Sequence, residues 1–328
     1  MSTQIVCVDG YTLNPGDLSW EPFERLGTLT VHDRTSPDQV IERVGDAPCV
    51  LTNKVAFDAE TIAALPALRY IGVLATGYNI IDTAAADRHG IVVTNVPSYS
   101  TDSVAQHTVS LILELARRNA VHDEAVRRGA WSDCPDFCFA VTPIVELSGK
   151  TLGIVGMGQI GRAVACIGAA MGMRIAAYSR NPQSVDTGGL QVTFHDLDEL
   201  FAQADVLSLH CPLTDATRNL VNAERLNRMK PSAFIVNTSR GPLIDEQALL
   251  EALRSGRIAG AAVDVLSSEP PPADHPLIGA PNCIITPHVG WYAFEARQRL
   301  MQWAADNLRA FLEGNPINVV NQPATTDR

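Results

Sequence analysis

Two groups of residues in this chain have the types and spacing that chemistry requires. The first is GMGQIG at 156–161, a G-x-G-x-x-G run made by Gly156, Gly158 and Gly161, which follows an apolar stretch and opens a helical pattern. The first glycine allows a tight turn and the second lets the backbone approach a pyrophosphate. The third lets helix and strand pack closely, while the helix N-terminus offers free N–H groups and a positive end. The pattern predicts a dinucleotide cradle; by itself it also describes a plain tight turn in a βαβ unit. The next strand, MRIAAY, ends in Ser179, Arg180 and Asn181, with no carboxylate to bond the ribose hydroxyls of NAD. A serine and an arginine receive a 2′-phosphate, which points to NADP(H) as the preferred cofactor with NAD(H) also possible. The competing reading is that Arg180 is a solvated loop residue.

The second group is Arg240, after the run at 233–237, Glu269, beyond AAVDVL, and His288, after CIIT and a proline. In an open α/β sheet the carboxyl ends of strands line the ligand crevice, so all three are candidates for one site. Their types suit hydride reduction of a 2-oxo acid. An arginine fork holds a carboxylate and polarises the neighbouring carbonyl, a histidine supplies a proton near neutral pH, and a carboxylate orients that histidine. Taken singly, each has a plain structural reading: Arg240 as a helix cap, Glu269 as a solvated loop charge, His288 as a satisfied strand-end residue.

The elements that must position these residues read as alternating strands and helices. Apolar runs at 5–8, 28–31, 49–52, 70–74 and 91–95 predict strands, with helices at 37–44, 58–64 and 83–88. A long apolar helix follows at about 103–117, with Thr101 or Asp102 as its N-cap. The stretch 119–148 is less regular and aromatic, and reads as an arm suited to a subunit contact. Strands are then expected at 151–155, 173–178, 191–194, 206–210, 233–237, 260–265 and 283–286, and a last helix at about 293–313. Strand, helix and strand repeated this often predict doubly wound parallel sheets. The final PATTDR reads as frayed.

Composition narrows the partners. The 328 residues carry 36 acidic against 25 basic side chains, a formal charge of −11, which argues against nucleic acid or an anionic membrane as partner. Only Lys54, Lys150 and Lys230 are lysines, so nearly all the positive charge is arginine. Seven scattered cysteines form no disulfide framework, and no metal site is expected, Cys134 and Cys138 having no His/Cys partners. With no signal sequence or 18-residue apolar window, a cytoplasmic protein is the expectation.

Motifs along nearly the whole chain resemble the D-isomer-specific 2-hydroxyacid dehydrogenases, and within them the glycerate dehydrogenase or hydroxypyruvate (glyoxylate) reductase branch. They are TNK at 52–54, LATGYNIID at 74–82, NVPSYSTDSVAQHT at 95–108 and LSGKTLGIVGMGQIG at 147–161. NTSRGPLIDEQAL at 237–249, AAVDVLSSEPPPADHPL at 261–277 and ITPHVGW at 285–291 complete the set. The resemblance implies two Rossmann-like domains with a cleft between them. The substrate domain is discontinuous and flavodoxin-like, made of 1–101 and 293–328, and the cofactor domain is 102–292. It also implies a homodimer formed through the arm at 119–148.

Residue by residue, the resemblance makes His288 the proton donor, Glu269 its orienting partner, and Arg240 the ligand of the oxo and carboxylate groups. Backbone donors of Ala75, Thr76, Gly77 and Tyr78 resemble a carboxylate-binding turn, and Lys54 lies in a cleft-facing turn. Asp264 matches the position that bonds the nicotinamide carboxamide, Thr108 one near the phosphates, and Gln159 and Ile160 the donors at the pyrophosphate. Cys211 and Pro212 match the adenosine wall. Thr217, Thr238, Ser239 and Gly290 complete the cofactor contacts. Tyr78 stands where smaller or acidic residues are frequent, and Trp291 flanks the proton donor; bulky rings there either narrow the substrate pocket or pack at the hinge. The implied activity is NADPH-dependent reduction of hydroxypyruvate and glyoxylate. The alternatives are a longer, aromatic or phosphorylated 2-oxo acid, a preference for NADH, or a dinucleotide-sensing corepressor.

Overall fold

The computed structural model describes residues 2–323 and divides into two compact units. One holds the chain up to Ser100 together with the segment from Ala293 onward; the other is Thr101–Tyr292. The frayed end expected at 323–328 lies, past Pro323, outside the described residues.

The first unit contains strands β1 (Gln4–Cys7), β2 (Thr28–Val31), β3 (Cys49–Thr52), β4 (Tyr70–Val73) and β5 (Val92–Thr94). They form one parallel sheet in the order β2-β1-β3-β4-β5, the flavodoxin-like order, whose direction of winding reverses between β1 and β3. β3 and β4 are buried at every residue, as a sheet covered on both faces requires. Val6, Val50, Ile71 and Val73 meet Val40, Val44 and Ile62 from the short helices. The helix Phe294–Leu312 returns to this unit, and Phe311 lies against Tyr70 with ring centroids 4.8 Å apart.

The second unit contains β6 (Thr151–Val155), β7 (Arg174–Tyr178), β8 (Val192–Phe194), β9 (Val206–Leu209), β10 (Phe234–Asn237), β11 (Gly260–Val263) and β12 (Cys283–Ile285). The order is β12-β11-β10-β9-β6-β7-β8, parallel throughout, so winding reverses between β6 and β9. Successive residues feed opposite cores: Leu207, Ile235 and Val263 one face, Val206, Val236 and Ala262 the other. Each fully buried Leu or Ile contributes about 2 kcal/mol to holding the sheet covered.

Two expectations need correction. Thr101 and Asp102 are not N-caps: the long helix is Thr101–Arg117, and both lie in its first turn. The arm opens with a regular helix, Asn119–Arg127, set off from the long helix by Arg118 in the left-handed region at φ 56°. No residue of that helix is buried. The arm then exposes Trp131 and, at 89%, Phe137.

Candidate active site

In the second unit, the segments leaving β6, β7 and β9 surround a cavity of about 700 Å³ at the reversal point of the sheet. Its walls include Gly156, Gly158 and Gln159 from the first turn, Ser179, Arg180 and Asn181 after β7, and Cys211, Pro212 and Thr217 after β9. Gly156 has φ +99°, and a Cβ there would lie 2.8 Å from the His210 carbonyl. A Cβ on Gly161 would fall 2.1 Å from the carbonyl oxygen of Gly156, whereas one on Gly158 would meet nothing within 4 Å. Gly158 is the N-cap of the helix Gln159–Ala170 and lines the cavity, so the space a side chain would fill is open to a bound group. An open cradle at a helix N-terminus fits the pyrophosphate of a dinucleotide. Ile160 and Gly161 are not among the residues that line the cavity.

Two arginines, Arg162 and Arg180, line the cavity. Arg180 is exposed and makes no hydrogen bond or ion pair among the described residues. Arg162, which sequence reasoning missed, is paired at 2.5 Å with Asp186, whose carboxyl is held low by the Gly188 N–H and then by the Arg162 charge. Burial raises the Cys211 thiol, against a smaller opposing pull from Arg180. The thiol therefore stands neutral and acts as wall rather than nucleophile. His210, also unremarked in the sequence, is pushed down to about 4 by burial and shares a hydrogen bond of 2.8 Å with the Ser208 hydroxyl.

The second cluster sits at the carboxyl ends of three neighbouring strands, β10, β11 and β12. After β10, the Asn237 side chain organises the turn: its Oδ1 accepts the Ser239 N–H at 3.0 Å and its Nδ2 donates to the Arg240 carbonyl at 2.9 Å. Arg240 stands at the N-cap of the short turn Gly241–Leu243, but its side chain caps nothing; it is exposed and donates to the Ser239 carbonyl at 2.7 Å. A Cβ on Gly241 would fall 2.0 Å from the carbonyl carbon of Leu266. Only glycine therefore lets the Arg240 turn touch the loop that leads to Glu269.

Glu269 is a bridge rather than a solvated loop charge. Its Oε1 accepts the Leu266 N–H at 3.0 Å and its Oε2 lies 2.6 Å from Nδ1 of His288. His288 itself adopts φ 54°, and its N–H donates to the Asp264 carbonyl at 2.8 Å. The Asp264 carboxylate is buried and takes four donors. Oδ1 accepts Thr286 Oγ1 at 2.6 Å, Val289 N–H at 2.9 Å and His107 Nε2 at 3.2 Å; Oδ2 accepts the Gly290 N–H at 2.9 Å. Burial alone would raise this carboxyl, but the donors outweigh it and hold it below the usual range. His107, on the long helix, is a member that no local signal marks. Thr108 and Thr238 share a hydrogen bond of 2.9 Å, and Trp291 stacks edge-on to Tyr292.

In the first unit, the remaining candidates follow β3 and β4. The buried carboxylate of Asp9, after β1, accepts the N–H groups of Asn53, Lys54 and Val55 at 2.8, 2.6 and 3.1 Å and so shapes the Lys54 turn. Sequence reasoning passed over Asp9. The 75–78 turn is pinned by Thr76 Oγ1 to the Val96 carbonyl at 3.0 Å and by Asn95 Nδ2 to the Thr76 carbonyl at 2.7 Å. The N–H groups of Thr76, Gly77 and Tyr78 donate to no protein acceptor among the described residues. That leaves them for an anion, and the Tyr78 ring is exposed. Among the described residues no cluster of three metal-binding side chains occurs, and no helix is long and apolar enough to cross a membrane.

Known proteins resemble this chain in sequence and fold. A family model described as "D-isomer specific 2-hydroxyacid dehydrogenase, NAD binding domain" matches residues 109–290. A hydroxypyruvate reductase of Blautia hydrogenotrophica is 48% identical over 324 residues, 97% of this chain and 100% of the relative. A crystal structure of a Thermus thermophilus protein has a TM-score of 0.85 at 36% identity, covering 97% of this chain and 100% of the other. An NADPH-dependent glyoxylate/hydroxypyruvate reductase of Sinorhizobium meliloti, solved with NADP and malonate, has a TM-score of 0.83 at 29% identity, with 98% of each chain covered. This chain therefore belongs to the D-isomer-specific 2-hydroxyacid dehydrogenases, in their glycerate dehydrogenase and hydroxypyruvate/glyoxylate reductase branch, and is an NAD(P)-dependent oxidoreductase.

Proposed function

We propose that the protein is an NADPH-preferring reductase of small 2-oxo acids, which converts hydroxypyruvate to D-glycerate and glyoxylate to glycolate. The observation that carries this reading is the Glu269–His288 contact of 2.6 Å beside the Arg240 turn, on three adjacent strand ends. A carboxylate only accepts, so Nδ1 of His288 carries a proton and faces Glu269. A second proton, at Nε2, is the one given to the carbonyl oxygen during reduction; in the reverse direction neutral Nε2 takes it back. Arg240 holds the oxo and carboxylate oxygens with its fork and polarises the carbonyl. The N–H groups of Thr76, Gly77 and Tyr78, with Lys54 from the turn after β3, serve the substrate carboxylate, and Trp291 limits substrate size.

Bound nicotinamide supplies the hydride. Gly156, Gly158, Gln159 and Ile160 are assigned to its pyrophosphate, with Thr108, Thr217, Thr238, Ser239 and Gly290 as further contacts. Asp264, besides shaping the His288 turn, is assigned to the carboxamide, and Cys211 and Pro212 to the adenosine. Uncommitted Arg180, with Ser179 and Asn181, is assigned to a 2′-phosphate. Asp186, the lining carboxylate, is already neutralised by Arg162. That the Sinorhizobium meliloti relative was solved with NADP supports the choice. The exposed Trp131 and Phe137 make the arm the contact of a homodimer in the same reading.

The test is a kcat/KM matrix of NADH and NADPH against glyoxylate, hydroxypyruvate, pyruvate and a phenyl-bearing 2-oxo acid. The highest values are expected with NADPH and the two smallest polar substrates. Activity no greater than that of an Arg240→Ala variant overturns the reading, and a strong advantage for NADH overturns the assignment of Arg180.

A further inference from the structure

Two residues before Glu269, the chain is gripped by the carboxylate of Glu246. This glutamate opens the helix Glu246–Arg254, whose N-cap, Asp245, accepts the Ala248 N–H at 3.1 Å. Oε1 of Glu246 accepts the backbone N–H of Ser267 at 2.8 Å, and Oε2 accepts the Ser267 hydroxyl at 2.5 Å. Oε2 also lies 3.1 Å from Nε2 of His275, a buried ring whose Nδ1 accepts the Leu277 N–H at 3.3 Å. That last bond sets the tautomer: Nδ1 accepts, so Nε2 carries the proton and donates to Glu246. One carboxylate therefore ties down the loop on both sides of Glu269.

The same stretch of chain also carries Arg240. From Arg240 it passes through the turn Gly241–Leu243, where Gly241 lies flush against Leu266 and Ser267, and reaches Glu246 within six residues. Leu266 in turn is the residue whose N–H donates to Oε1 of Glu269, leaving Oε2 to His288. An apolar side chain at 246 would bury surface as well, but would not fix direction. A carboxylate with three donors at set angles does.

We infer that Glu246 is a positioning residue for the reaction, holding the Arg240 turn in register with the Glu269–His288 pair through Ser267 and His275. This rests on the proposed roles of Arg240, Glu269 and His288. Glu246 touches neither substrate nor cofactor in this scheme; it sets where the groups that do so stand.

Glu246→Gln separates this role from bulk stability. The amide keeps an oxygen for the Ser267 N–H, but its NH2 faces the proton on His275 Nε2, which cannot shift because Nδ1 is committed. The expected result is a fall in kcat of about 10-fold or more, since small misplacements of reacting groups cost up to about 100-fold. NADPH affinity, read by fluorescence titration, stays within about twofold because the cradle lies elsewhere in the sheet. In a Glu269→Gln background the same substitution changes kcat by less than about twofold, because residues acting through one another are not additive. His275→Ala, which removes the donor and leaves Glu246 intact, provides a second variant and is expected to show the same non-additivity.

The inference is overturned if Glu246→Gln and His275→Ala both retain wild-type kcat. It is equally overturned if their losses recur in full in the Glu269→Gln background, or if NADPH affinity and melting temperature fall in step with kcat. A Glu269→Gln enzyme as active as wild type instead overturns the proposed role of Glu269, and this inference with it.

Discussion

The main chain of His288 is fastened to Asp264 twice over: its own N–H bonds the Asp264 carbonyl, and the next two N–H groups bond the Asp264 carboxylate. The imidazole is thus presented by a turn wrapped around one buried charge. Asp264 has its folded-state pKa depressed, so its stabilisation is fully present above the unfolded value of about 3.9 and is lost as pH falls through the folded value. Asp264→Asn is expected to cost about 2 kcal/mol at pH 7, several degrees in melting temperature. The gap from wild type should narrow below about pH 4. Calorimetry at pH 7 and near pH 3.5 checks this; an equal gap at both values contradicts it.

Gly158 and Gly161 make a matched pair with opposite expected outcomes. Gly158→Ala places its methyl in open space at ordinary backbone angles, so the unliganded protein keeps its melting temperature within about a degree. The methyl occupies the cradle, and NADPH affinity falls about 10-fold or more, the equivalent of about 1.4 kcal/mol. Gly161→Ala drives a methyl into the Gly156 carbonyl and lowers the melting temperature itself. Thermal melts without ligand and fluorescence titrations with NADPH distinguish the two.

Arg180→Ala tests the proposed 2′-phosphate contact. A charge-assisted fork on a phosphate contributes about 1.5–3 kcal/mol, so kcat/KM with NADPH is expected to fall about 10- to 100-fold. The value with NADH should hold within about threefold, and the NADPH advantage of the wild type should shrink as salt rises. Equal losses with both cofactors would place Arg180 outside the phosphate site.

What could be read in the sequence follows from the range of the forces involved. β3 and β10 are buried at every residue, so their apolar runs announce strands with nearly correct ends. The glycine run is local too, and so are the strand-end positions of Arg240 and His288. Asp9 meets its partners 44 to 46 residues along the chain, and His107 reaches Asp264 across far more; neither has a local pattern. Glu246 looks like any acidic residue in a first helical turn until the fold brings Ser267 and His275 to it. The helix Asn119–Arg127 is hard to read for a different reason: none of its residues is buried, and Arg118 rather than a glycine takes the left-handed position that separates it from the long helix.

The clamp formed by Asp9 bears on selectivity for anions. Three successive backbone N–H groups, at 53–55, converge on one point at the reversal of the first sheet, the kind of concavity that receives phosphates elsewhere. Here the chain plugs that concavity with its own carboxylate. A stray phosphate finds those donors already taken and a negative charge in the way. Of the two reversal points that the topology creates, the one in the first unit is sealed by Asp9, while the one beside the glycine run opens onto a cavity.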